Sequence, residues 1–222
     1  MGDLKPSFGV LLPTREAVMS ARSDPSSLLE LGARAEALGF DSVWVGDSLT
    51  ARPRIDALTT LAAVGARTRR IRLGTAIFLA ALRHPVLLAY QLASVDWITA
   101  GRIDFGVGYG RPNDPAGEHE FEILGLDAAA RIKMSEEAIQ IMRRLWREDH
   151  VSHAGRFTNF DDVSIQPKPV QAGGVPIWIA SNNVEPGLKR VARLGDAWIN
   201  NIKSPAVFAE CRQKIHAYAS AL

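Results

Sequence analysis

The chain has 222 residues, 47% hydrophobic and 23% charged, which suits one domain with a substantial core. Its 26 basic and 24 acidic residues leave a formal charge of +2, so nothing argues for nucleic acid or an anionic membrane as partner. The single cysteine, Cys211, excludes an internal disulfide framework. No stretch approaches the roughly 18 apolar residues of a membrane span, which predicts a cytoplasmic protein.

Apolar strand patterns at 8–12, 43–45, 71–78, 103–107, 176–180 and 197–199 alternate with helical ones. The first strand ends at Pro13-Thr14, and a variable loop follows. Asp24-Pro25 then opens a helix that Gly39 stops. The second strand, DSVWVGD, reads as apolar on both faces, as in a strand covered on both sides. A helix over about 56–66 leads to IRLGTAIF, with RTRRIR (67–72) expected as a solvated turn between them. Pro85 opens the next helix and Gly101 closes it, before IDFGVGYG. A helix over about 129–148 precedes a stretch from 149 to 174 rich in Gly and Pro. A structureless loop of that length is improbable, so this insertion is expected to hold a hairpin or arm over the strand ends. VPIWIAS, a helix over about 184–194 stopped by Gly195, DAWIN and a helix from Ser204-Pro205 complete the pattern.

Regular strand-helix alternation favours a parallel α/β sheet with right-handed crossovers, as a single domain over 1–222. The carboxyl ends of such strands share one face, where binding sites gather. The tips here are Pro13-Thr14, Asp47-Ser48, Phe78, Tyr109-Gly110-Arg111, Ser181-Asn182-Asn183 and Asn200-Asn201.

Gly106-Val-Gly108-Tyr-Gly110 lacks the Gly-x-Gly-x-x-Gly spacing of a dinucleotide fold and does not turn directly into a helix. Absent side chains there let a flat ligand lie against the strand end, or allow close packing at a tight corner. Asp47 can hydrogen-bond a ligand, position a base or cap the following turn. Ser181, Asn182 and Asn183 precede a helix, where free N–H groups and the helix dipole suit a phosphate, or plain capping. The five histidines show no metal-ligand spacing, and no Ser-His-Asp triad has local support.

FDSVWVGDS, RIRLGTAIFLAALRHPVLLAYQLASVDWITAGRIDFGVGYG, PVQAGGVPIWIAS and GDAWI together resemble the bacterial-luciferase-like flavin monooxygenase superfamily, over about residues 7–202. The resemblance implies a TIM-type (β/α) barrel that binds FMN or the deazaflavin coenzyme F420 at its carboxyl rim. Tyr109 stands where FMN-type members carry Arg. Asp47 matches the Asp of the Asp-His pair common in deazaflavin enzymes, with Ser48 in place of His. Arg111 replaces a glutamate of some deazaflavin dehydrogenases. The chain thus looks like the F420-dependent oxidoreductase branch. By the same resemblance, strand three carries a bulge at a non-proline cis peptide, Ala76-Ile77, pressed behind the ring. Asp47, Ala76 and Ile77 then face the ring, Gly106, Gly108, Tyr109 and Gly110 line it, and Ser181, Asn182 and Asn183 hold the phosphate. Arg111 either pairs with an anionic tail or faces solvent.

The family barrel has eight strands, whereas six βα units are legible here. The expectation is a barrel shortened to about six units, whose first and last strands are exposed, meet in a tighter ring, or are covered in a homodimer. The function expected is hydride transfer between F420 and a small organic substrate. The alternatives are an FMN-dependent monooxygenase, a non-catalytic flavin-binding module, and, last, a doubly wound nucleotide-binding fold.

Overall fold

The computed structural model describes residues 6–20, 24–111 and 113–222. Strands β1 (Gly9–Leu11), β2 (Ser42–Val45), β3 (Arg72–Thr75), β4 (Ile103–Val107), β7 (Ile177–Ala180) and β8 (Ala197–Ile199) form one parallel sheet in that order. Between β4 and β7 the chain makes an antiparallel hairpin of β5 (Val151–Ala154) and β6 (Asn159–Val163). The parallel strands add in chain order without reversal. A doubly wound sheet reverses at a switch point, so the order excludes that alternative and matches the unidirectional winding of an opened barrel. β1 and β8 end the order without pairing, so the strands do not close into a tighter ring.

Among the described residues eight α-helices accompany the sheet: α1 (Thr14–Met19), α2 (Ser26–Ala37), α3 (Ala57–Arg67), α4 (Pro85–Ile98), α5 (Pro115–Glu122), α6 (Arg131–Arg147), α7 (Glu185–Leu194) and α8 (Pro205–Ala219). Their ends follow local chemistry. The Asp24 carboxylate accepts from the Ser26 N–H at 2.8 Å, and Asp56 caps α3 by accepting from the Thr59 N–H at 2.8 Å. Gly39 (φ +84°) and Gly101 (φ +77°) turn the chain out of α2 and α4 in the left-handed region that glycine adopts freely. Two helices fall where the sequence suggested loops. α1 has only six residues, too few for a periodic pattern, and α5 starts at Pro115 within a run read as helix-breaking. Among the described residues no helix is long and apolar enough to cross a membrane.

One face of the sheet carries the core. Val43, Val45, Leu73, Ile103, Phe105, Val107, Ile177 and Ile179 are fully buried and pack with Leu61, Val64, Leu88, Leu92, Ile139, Met142 and Leu145 from the helices. The register sets Ser42, Trp44, Arg72, Gly74, Asp104, Gly106, Trp178, Ala180 and Ile199 on the other face. β2 is therefore buried on one face and half-open on the other, contrary to the two-sided reading of DSVWVGD. At the amino-terminal half, Arg72 makes a two-pronged pair with Asp104 (2.6 Å each), and Gln171 bridges Arg72, Asp96 and the Ile103 carbonyl. Arg72 thus leaves the solvated turn expected for 67–72. Trp44 and Trp178 meet edge to face at 5.2 Å above it, with Gly74 leaving room for the Trp44 ring.

The hairpin does not cover the strand ends. Glu137 of α6 accepts from the N–H groups of Arg156, Phe157 and Thr158, Arg144 donates to the Ser152 carbonyl, and Lys168 donates to the last carbonyls of α6. Val170 and Gln171 then bind Asp96 near the end of α4, at the amino-terminal rim. This arm fastens the outer helices, with the polar main chain of its turn satisfied by one carboxylate.

Phe105 tests the core. Truncation to Ala removes a fully buried ring that meets Phe78 at a tilt, 5.3 Å between centres, and should lower unfolding free energy by about 3–5 kcal/mol in a denaturant titration.

Candidate active site

The carboxyl ends of β2, β3 and β4 are joined through the main chain of residues 76–78. The Ala76 N–H donates to the Val45 carbonyl at 2.7 Å, and the Asp47 N–H donates to the Ile77 carbonyl at 3.1 Å. On the other side, the Phe78 N–H donates to the Gly106 carbonyl at 2.7 Å and the Gly108 N–H to the Phe78 carbonyl at 3.0 Å. The Ala76–Ile77 peptide between these ties is cis, as the sequence reading placed it. Thr75 completes the junction: its hydroxyl donates to the Gly106 carbonyl and accepts from the Gly106 N–H, both at 2.9 Å.

Around this segment the strand residues themselves are small, and the side chains of Arg54, Ile77 and Ile199 lie over the glycines. Gly46, Ala76, Gly106, Gly108 and Ala180 present nothing larger than a methyl group. A methyl on Gly106 would overlap the Thr75 carbonyl oxygen and lie 2.6 Å from Ile199 Cδ1, and one on Gly108 would lie 2.5 Å from Ile77 Cγ1. Close packing alone therefore requires both glycines, and its by-product is a flat main-chain floor at the strand tips. The Trp44–Trp178 pair fills the strands below it.

Asp47 does not point at this floor as a free acid. Arg83 donates to both its carboxylate oxygens, at 2.6 and 2.7 Å, and the Leu79 N–H donates at 3.0 Å. The side chain is 2% exposed. Burial pushes its carboxyl above the ordinary range, against the opposing pull of Arg83 and the Leu79 N–H. The Arg83 guanidinium also covers the Phe78 ring at 4.2 Å. Asp47 thus clamps the loop after β3 to the tip of β2, a positioning role and not that of a base.

Tyr109 also departs from its expected place. Its ring packs into the helix layer beneath the Arg190 guanidinium, 4.9 Å from the ring centre, and Arg190 in turn pairs with Glu136 at 2.7 Å. Its buried hydroxyl has no hydrogen-bond partner among the described residues, and burial pushes it up to about 12. Only the Tyr109 main chain remains beside the floor. Gly110 (φ +74°) turns the chain with open space around it, and Arg111 is exposed.

At the β7 tip, the Ser181 N–H donates to the Ile199 carbonyl at 2.9 Å, and Trp198 Nε1 donates to the Ser181 carbonyl at 2.7 Å. Asn182 Oδ1 accepts from the Asn201 N–H at 3.1 Å. The residue capping α7 is Val184, with no side-chain cap bond, so Ser181, Asn182 and Asn183 do not cap this helix. Asn182 and Asn183 are exposed. The structure thus brings Asp47, Ala76, Ile77, Gly106 and Gly108 together, and sets Ser181–Asn183 at the neighbouring tip.

Sequence reasoning missed a strap over the site. Glu120 of α5 is buried and accepts from the Ser48 hydroxyl (2.8 Å) and from the N–H groups of Thr50 (2.6 Å) and Ala51 (3.0 Å). Arg52 pairs with Asp114 at 2.7 Å. The loops after β2 and β4 are thereby tied together. The Asn-Asp-Pro sequence at 113–115, a helix-start signal, was the available clue. Among the described residues no cluster of three or more His, Cys, Asp or Glu could hold a metal.

Comparison with known proteins follows this geometry. The family described as luciferase-like monooxygenase matches residues 7–221, and the chain belongs to it. An F420-dependent glucose-6-phosphate dehydrogenase from Kineococcus radiotolerans is 30% identical over 182 residues, 79% of this chain and 52% of the relative. The crystal structure of monooxygenase RslO1 from Streptomyces bottropensis matches with TM-score 0.82 and 28% identity, over 97% of this chain and 66% of that one. An F420-dependent secondary alcohol dehydrogenase, solved with an F420-acetone adduct, shares the fold at TM-score 0.81 and 24% identity, over 98% of this chain and 65% of that one. The chain spans about half the length of the curated relative.

The strap has a pH dependence. Burial acts to raise the Glu120 carboxyl, but the N–H groups of Ala51 and Thr50 and the Ser48 hydroxyl outweigh it, so the net value lies below the ordinary range. A lowered folded-state value contributes stability that is complete above the ordinary glutamate range and lost as pH falls through the lowered value. Glu120→Gln should cost about 1–3 kcal/mol near neutral pH, with the gap to wild type closing in acid, as read by urea unfolding at both conditions.

Proposed function

We propose that this member of the luciferase-like monooxygenase family is an oxidoreductase that moves a hydride between coenzyme F420 and a small organic substrate. The observation that carries the reading is the main-chain segment 76–78 at the tips of β2, β3 and β4, tied on both sides by main-chain hydrogen bonds. The F420-dependent relative supports the choice of coenzyme. When bound, the deazaflavin supplies a ring carbon that carries the hydride.

In this reading the main chain of Ala76 and Ile77 backs the ring, and Gly106 and Gly108 let that segment pack against β4. Asp47 and Arg83 fix that backing through the loop after β3, so the floor is preorganised before any ligand arrives. Ser181, Asn182 and Asn183 take the phosphate beside the first turn of α7. Trp44 and Trp178 limit how deep the ring settles. The site is read as intracellular, in keeping with the lone buried Cys211. A second reading, FMN-dependent oxygenation, draws on the likeness to the Streptomyces bottropensis monooxygenase.

Titration of the chain with F420 and with FMN separately, followed by fluorescence, distinguishes these. Binding of F420 with bleaching on addition of a reductant substrate is the expected result. Preference for FMN with oxygen uptake favours the second reading, and binding without turnover favours a non-catalytic module.

The homodimer is part of the proposal, with a changed location. Apart from buried Asp96, α4 has no charged residue, and Leu87, Tyr90, Trp97 and Ile98 are exposed on its outer side. A helix apolar all round is normally buried, and an uncharged face meets its own copy without repulsion. α4 follows β3 near the middle of the sheet, not at the β1 or β8 edge. Trp97→Glu together with Leu87→Lys should convert a dimer to a monomer in sedimentation, leaving the far-ultraviolet circular dichroism unchanged.

A further inference from the structure

Arg54 lies in the loop between β2 and α3, two residues before the Asp56 cap. That loop is held at both ends. The N–H groups of Thr50 and Ala51 donate to Glu120, the Arg52 N–H donates to the Ser48 hydroxyl at 2.9 Å, and the Asp56 carboxylate caps α3. Arg54 is thus carried on fixed main chain. Its guanidinium lies against the open side of Gly46, where a methyl group would overlap Arg54 Nη1 and stand 3.7 Å from the Ala76 carbonyl oxygen. The cation therefore borders the segment 76–78 at the β2 end.

Unused hydrogen-bonding capacity singles this guanidinium out. Among the described residues it makes one long bond, from Nε to the Arg52 carbonyl at 3.4 Å, and no ion pair. The acids around it are engaged: Asp47 by both prongs of Arg83, Asp56 by the Thr59 N–H, Asp114 by Arg52, and Glu120 by the strap. Arg111 at the β4 tip also has no ion pair among the described residues, but it is exposed and keeps its water. It adds to the pull by which the Arg52 hydrogen bond holds the Asp114 carboxyl below its ordinary range. Arg54 is half-buried, so it has lost part of its hydration with little in exchange. A guanidinium fork in that state matches two oxygens of a carboxylate or a phosphate.

We propose that Arg54 binds an oxyanion of the substrate, so that the small organic substrate is a carboxylate or a phosphate ester anchored at the β2 end of the floor. The inference rests on the floor being the ring site, and it narrows the substrate class for that site. One end of the substrate is held at Arg54, and the rest extends along the segment 76–78 to the ring. Such an anchor, carried on a loop already fixed, orients the reacting carbon without further ordering of the protein. Gly46 is required because any side chain there would displace the guanidinium. The same oxyanion chemistry has a second source, the anionic tail of the coenzyme, and the experiment separates the two.

Wild type, Arg54→Ala, Arg54→Lys and Arg111→Ala are titrated with inorganic phosphate and with acetate at constant ionic strength, by calorimetry and by thermal melting, with chloride as the reference. Melting without ligand checks each fold. Both anions are expected to stabilise wild type beyond chloride. Arg54→Ala should weaken their binding about tenfold or more, as for lost charge-assisted hydrogen bonds, and Arg54→Lys should recover part of that loss. Arg111→Ala should stay within about twofold of wild type, as for an exposed charge. No effect beyond chloride in wild type, or a loss that follows Arg111 in place of Arg54, overturns the proposal. F420 and its ring fragment without the tail are then titrated against wild type and Arg54→Ala. Unchanged affinity for both assigns the oxyanion to the substrate. Weaker binding of intact F420 alone, or of both, puts Arg54 on the coenzyme and overturns the proposal. If wild type binds no coenzyme, the ring-site reading fails, while the phosphate and acetate titrations still decide whether Arg54 is an oxyanion site.

Discussion

Three residues of main chain, 76–78, carry the architecture of the candidate site. They are hydrogen-bonded to β2 on one side and β4 on the other, and each tie uses an N–H or carbonyl that would otherwise end a strand unpaired. A side chain can change rotamer, whereas a peptide held from both flanks cannot move without breaking ladder bonds. The floor is for that reason a rigid feature, and the glycines at 106 and 108 follow from it: they leave the space into which this segment packs.

The Asp47–Arg83 pair is what stops the segment's far end from lifting. Both groups are largely out of water, so the attraction between them is offset by desolvation, and the net stability gained against an apolar pair is small. Loss of one partner is a different matter, because it strands the other charge, at about 3–5 kcal/mol. The pair therefore contributes geometry more than stability. It fixes Leu79 and Phe78, and with them the register of the loop that leads into α4. An acid with both oxygens engaged in this way is poorly suited to proton transfer, and Asp47 acts here on the loop after β3.

Strand and helix alternation, the parallel sheet and the cis position at Ala76–Ile77 were legible in the sequence, the first two from periodicity and the last from family resemblance. What was not legible shares a physical cause: side-chain direction at a strand tip depends on pleat parity and on distant partners. Tyr109 sits one residue beyond Gly108 and so points to the helix layer, where Arg190, some 80 residues later in the chain, covers it. Glu120 satisfies a loop about 70 residues earlier, and no local pattern announces such a pairing. Arg72 belongs to a basic run that reads as solvated, yet its own parity turns it inward to Asp104. The hairpin was foreseen as an element within 149–174 but not in its place, because Asp96 and Glu137, which anchor it, lie outside the segment.

The open face of the sheet divides along its length into two chemistries. At the amino-terminal half, polar side chains are matched to one another: Arg72 to Asp104, and Gln171 to Arg72 and Asp96. Such a layer is self-sufficient and offers a ligand nothing. At the carboxyl-terminal half, the main chain of 76–78 pairs with β2 and β4, while Asp47 with Arg83 and Glu120 with the loop N–H groups hold the surrounding loops. The two tryptophans mark the boundary. Below them the strands are joined by paired side chains, and above them by the main chain of the segment that links their tips.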